Sequence, residues 1–88
     1  MELTMFIPTI HLNGTSAKSL ISMYTDAHRA ILDAIEKLEQ SAPHGRDYYP
    51  QGDSAFEGAR SEHIARLTKL TEIQQELETI VIHILNNE

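Results

Sequence analysis

The chain has 88 residues, with thirteen Asp or Glu against seven Lys or Arg, a formal net charge of −6, and no cysteine. That balance excludes a general binder of DNA or RNA polymer, or of an anionic membrane surface, because both need clustered basic residues. It also excludes disulfide staples and thiolate metal sites. A single marginal domain spanning 1–88 is expected, since a chain this short buries only about 60% of its unfolded surface and gains core by pairing with a second subunit.

The amino terminus, Met1-Glu2-Leu3-Thr4, shows neither a basic segment nor a long apolar run, so no secretion signal is expected and cytoplasm is the expected location. Residues 1–14 read as an extended arm. Met5 to Leu12 is apolar and β-branched, but Pro8 breaks it, and a proline confines such a segment to an edge or an arm. Its apolar side chains are expected to lie along the helices or against a neighbouring subunit.

Asn13-Gly14 ends the arm, and Thr15 or Ser16 is placed to cap a first helix over 16–41. Leu20, Tyr24, Ala27, Ile31, Ala34 and Leu38 recur at threes and fours, with Ile21, Leu32 and Ile35 at the edges. This is a heptad-like stripe. Pro43 and Gly45 stop the helix.

The loop over 42–53 is the part of the chain richest in chemistry. A helical hairpin needs only about 2–8 connecting residues, mostly small and polar. Here the connection holds Arg46, Asp47, Gln51 and two adjacent tyrosines, Tyr48 and Tyr49, in a chain with three tyrosines and two phenylalanines in all. Arginine beside tyrosine suits a ligand that is both anionic and planar. The competing reading is that the tyrosines cap the open end of the hydrophobic core.

Ser54-x-x-Glu57, preceded by Asp53, reads as a capping box that opens a second helix over 54–86. Its stripe is Phe56, Arg60, His63, Leu67, Leu70, Gln74, Leu77, Val81 and Ile84, widened by Ile64, Ile73, Ile80 and Leu85. At 1.5 Å per residue the second helix outlasts the first by two or three turns. The excess is expected at its apolar end, Ile73 to Leu85, which a monomer would leave open to aggregation. The expected fold is therefore all-α: a hairpin of two long antiparallel helices with a short extended N-terminal arm, assembled as an obligate homo-oligomer.

Arg60 and His63 follow the tyrosine loop at i, i+3, so they share one face of the helix, close to the partial positive charge of its amino terminus. With Arg46, Asp47, Tyr48, Tyr49, Gln51 and Asn13 they make the candidate ligand site. The bland alternative has Arg60 snorkelling to solvent and His63 half-buried. No His-x-x-x-His, His-Glu-x-x-His, Walker or Gly-x-Gly-x-x-Gly pattern occurs, so neither a metal nor a cofactor is expected. No nucleophile elbow or paired carboxylates stand out either. An acid/base pair of His63 with Asp47 can be drawn, but nothing selects it, and an enzyme is not expected.

Ile7 to Ser16 (IPTIHLNGTS) and Gly45 to Gly52 (GRDYYPQG), with the hairpin between and after them, resemble small proteins of tailed bacteriophages and prophages. A looser architectural likeness is to phage sponge proteins that counter nucleotide-signalling immunity such as CBASS and Thoeris. Those are similar in size and build, and hold ligands between subunits. The resemblance implies host-cell cytoplasm, a homo-oligomer and a sequestered nucleotide-like anion. The rival expectation is a protein-interaction module without a small-molecule ligand, such as an inhibitor of a host protein or a minor virion component.

Overall fold

In a computed structural model that describes residues 5–87, the chain is a pair of long helices. Helix α1 is Ala17–Glu39 and helix α2 is Ala55–Asn87, joined by two short 3-10 turns at Gly45–Asp47 and Tyr49–Gln51. There is no strand among the described residues. Residues 1–4 of the expected arm lie outside them.

Ser16 is the cap of α1: its Oγ accepts from the Ser19 N–H at 3.1 Å, which satisfies one of the orphan donors of the first turn. The expected capping box of α2 does not form. The Ser54 carbonyl takes the Gly58 N–H at 3.1 Å, but neither the Ser54 hydroxyl nor the Glu57 carboxylate makes a hydrogen bond among the described residues.

The register of the hairpin follows from one polar contact. Gln74 on α2 donates from Nε2 to His28 Nε2 on α1 at 2.8 Å and to Glu78 Oε2 at 3.0 Å. Three residues earlier on α1, Thr25 shares a cavity with Glu78, Val81 and Ile82, so the helices are antiparallel. Counting outward from His28 and Gln74 at equal rise, Glu39 comes level with about His63 and Ala17 with about Leu85.

This corrects the expected overhang. The segment Ile73 to Leu85 runs beside the first half of α1, and Ile7, Pro8 and Ile10 of the arm line a cavity with His83, Ile84 and Asn87 at its far end. Ile80 and Ile84 are the buried apolar residues, Ile84 at 1% exposure. The turns that outreach α1 are instead the first two of α2, by roughly 12 Å. The connection from Gln40 to Ser54 is long enough to span that offset, and its second 3-10 turn contacts α2.

Both stripes hold except at single positions. On α1 the inward residues are Leu20, Ile21, Tyr24, His28, Ile31, Ile35 and Leu38, while Ala27 and Ala34 are exposed. The spacings 24-28-31-35-38 and 24-27-31-34-38 satisfy the same periodicity, and the hairpin takes the one with larger side chains to bury. On α2, Ala59 rather than Arg60 faces inward, and Arg60 is exposed. A guanidinium there would be buried without a partner, whereas alanine costs nothing.

Most stripe residues are only half-buried, because in a two-helix pair each side chain is shielded from one direction. The molecule measures 62 × 25 × 18 Å, with a radius of gyration of 18.5 Å, against about 12 Å for a compact 88-residue domain. In this thin interface the His28–Gln74 pair gives a direct prediction. Gln74→Leu leaves the half-buried imidazole without its partner and lowers stability by about 1 kcal/mol. His28→Leu combined with Gln74→Leu restores or exceeds the original stability. Urea titration of both single variants and the double variant measures that coupling.

Candidate ligand-binding surface

The loop is more ordered than its proline and glycine content suggests. Helix α1 ends in tightened turns: the Ser41 N–H and Oγ both donate to the Leu38 carbonyl, at 3.0 and 2.7 Å. Asp47 N–H then donates to His44 O at 3.0 Å and Tyr48 N–H to Gly45 O at 3.0 Å, closing the first 3-10 turn. Gln51 N–H to Tyr48 O at 2.9 Å and Gly52 N–H to Tyr49 O at 3.2 Å close the second. Pro50 supports this turn through its fixed φ.

Gly52 then reverses the chain at φ 115°, ψ 168°, a backbone region that only glycine occupies without strain. Gly52→Ala is expected to cost about 1–3 kcal/mol and to loosen the tyrosine loop while leaving the helices intact. Hydrogen exchange of the Gln51 and Gly52 amides reads the loosening directly, and circular dichroism the unchanged helices.

The loop presents its chemistry outward. Tyr49 is 76% exposed, Tyr48 half-buried, and Arg46, Asp47 and Gln51 exposed. Arg60 is exposed one turn before His63, which is buried in the interface. The two residues therefore divide: Arg60 belongs to the surface beside the loop and His63 to the packed seam. Among the described residues the ion pairs of arginine are Arg29–Asp26 at 3.8 Å and Arg66–Glu62 at 3.9 Å, so Arg46 and Arg60 are free of carboxylate partners. No acceptor among the described residues takes the Phe56 and Glu57 N–H groups at the start of α2, which adds partial positive charge on the same side.

Asn13 does not join this surface within one chain. It precedes α1, whereas the loop follows it, and the 23 residues of α1 separate them by roughly 35 Å. Its place in the site was legible only as a residue type, because nothing in a local pattern reports which end of a hairpin a residue occupies. The cavities at Thr25–Ile82 and at Ile7–Asn87 also lie towards the far end, and neither is lined by a loop residue.

Sequence reasoning missed His28 and Glu78. Their signal was the run His28, Gln74, Glu78, polar residues at stripe or near-stripe positions of both helices, which reads as scattered until the register is known. Among the described residues no three His, Asp or Glu side chains converge as a metal site would require. No described helix is long and apolar enough to cross a membrane. Comparison with known proteins finds no family model, curated protein or solved structure that matches the chain.

Proposed function

We propose that this chain is a non-enzymatic, phage-encoded binding protein of the host-cell cytoplasm. It self-associates and sequesters a nucleotide-like anion at surfaces completed between copies, thereby countering nucleotide-signalled immunity. The observation that carries this reading is the pair of guanidiniums without a carboxylate partner among the described residues, Arg46 and Arg60, together with the exposed ring of Tyr49 in a protein of net charge −6. Two free cations in an acidic protein mark a local anion site, and a flat exposed ring supplies a stacking face for a base. Asp47 and Gln51 would meet hydroxyl and amino groups. Asn13 could contribute only from another copy.

Native mass spectrometry of protein purified from cells tests this by reporting stoichiometry and any retained small molecule together. Calorimetry with a panel of linear and cyclic nucleotides gives the affinity. Reversible binding with intact ligand recovered is expected. Recovery of a cleaved ligand would point to an enzyme instead.

One observation favours a second reading. Tyr49, Arg46, Asp47 and Gln51 are all exposed, and an exposed tyrosine–arginine surface is also what protein interfaces use as a hot spot. On that reading no nucleotide binds, and Tyr49→Ala abolishes capture of a host or virion protein while the fold persists.

A further inference from the structure

The arm has two faces of opposite character. Ile7, Pro8 and Ile10 turn towards the end of α2 and line a cavity of about 300 Å³ with Ile84. Phe6 and Leu12, on the same short segment, are 100% and 98% exposed. A phenylalanine ring with no shielding forfeits the 150–250 Å² it could bury. Two such residues flanking a seated segment are unlike the isolated exposed apolar residues of ordinary surfaces.

Close to this arm the hairpin carries an open, almost wholly apolar recess. Thr25, His28, Glu78, Val81 and Ile82 enclose about 250 Å³, mostly with carbon. An apolar cavity of about 150 Å³ holds a benzene ring, so a phenyl side chain fits. Along α2 the positions 78, 81, 82 and 85 fall on one face, and Ile82 and Leu85 there are exposed. The other exposed isoleucines, Ile64 and Ile73, precede Ile82 at nine-residue intervals, half a turn apart each time, and build no such face.

The exposed area matches what a second copy would cover. The chain exposes 6806 Å², against about 5,200 Å² for a compact monomer of its mass. The excess is about 1,600 Å². Five residues outside the described range, even counted as fully solvated chain, account for about 800 Å² of it. What remains is the share that one partner gives up in a standard interface, about 800 Å².

We infer that Phe6 of one copy seats in the Thr25–Val81–Ile82 recess of a second copy. Leu12 closes over Leu85, and the contact is reciprocal. Arm and recess both belong to the end of the hairpin where α1 begins and α2 finishes. A two-fold axis there satisfies both copies at once, as an isologous interface requires. The inference rests on the self-association in the proposed function and names one of its surfaces; the tyrosine loops lie at the distal ends, where a further copy would complete the ligand surface.

The chain has no cysteine, which makes site-directed crosslinking clean. A Phe6→Cys chain is mixed with an Ile82→Cys chain, allowed to exchange, and oxidised; the products are weighed by mass spectrometry. The mixed covalent dimer is the expected product, whereas Phe6→Cys with Ile64→Cys is expected to give none. In sedimentation, Phe6→Ala should raise the dissociation constant by at least about 30-fold with helicity unchanged, since the fully exposed ring supports nothing within its own chain. An oligomer that forms no mixed Phe6–Ile82 dimer, or an unaltered dissociation constant for Phe6→Ala, overturns this interface and leaves self-association standing. A folded 9.9 kDa species at micromolar concentration overturns both.

Discussion

Ile84→Asp is expected to abolish the cooperative fold. Ile84 is the most deeply buried side chain described, at 1% exposure, on α2 where it shares a cavity with the arm segment Ile7–Ile10. Removing the isoleucine alone costs about 2–5 kcal/mol as a large-to-small change. A carboxylate there must in addition be buried without a partner, at several kcal/mol more. The entire stability of an 88-residue domain is about 4–13 kcal/mol, and this one has few buried residues over which to spread the loss. The expected outcome is loss of the helical signal and of any assembly together. Ile84→Ala calibrates the result: it should remain folded with a melting temperature lower by roughly 10–30 °C. An aspartate variant that melts like the parent would show that the arm end of the hairpin is not the core.

At the opposite end, Arg46→Ala and Tyr49→Ala should leave helicity and melting temperature unchanged while removing ligand binding. Neither side chain makes a hydrogen bond or ion pair within its own chain among the described residues, and Tyr49 is 76% exposed. Losing a charge-assisted contact or a stacked base costs about 1–3 kcal/mol, a factor of roughly 5 to 150 in affinity for each substitution. Arg46→Lys separates geometry from charge. Lysine keeps the cation but not the planar fork, so binding falls to an intermediate level if phosphate is gripped by two parallel bonds. Affinity for the ligand should also decline with added salt. If the alanine variants lower the melting temperature instead, and no nucleotide binds the parent, the loop is a structural cap.

Legibility in the sequence differs along the chain. The helix expected over 16–41 runs Ala17–Glu39, and the one expected over 54–86 runs Ala55–Asn87. Ser16, Pro43 and the Gly52–Ser54 segment are local stop and start signals that act over a few residues. The stripes were harder. At Ala27 against His28, and at Arg60 against Ala59, two heptad-compatible phases differ by one residue. The choice between them depends on what the other helix offers opposite. Gln74 opposite His28, at 2.8 Å, is such an offer.

By its own pattern, then, the sequence determines two long amphipathic helices, a broken apolar arm, and a connecting loop that gathers arginine and tyrosine. All of these rest on interactions within a few residues of one another. The register of the hairpin, the placement of the overhang at Ala55 rather than Leu85, and the distance between Asn13 and the tyrosine loop were decided only in the tertiary structure. A connection as long as Gln40–Ser54 lets α1 slide along α2 at little cost in closure entropy, which grows only with the logarithm of loop length. The long-range contacts of His28 with Gln74, and of the arm with the end of α2, select one position from many that the local pattern allows.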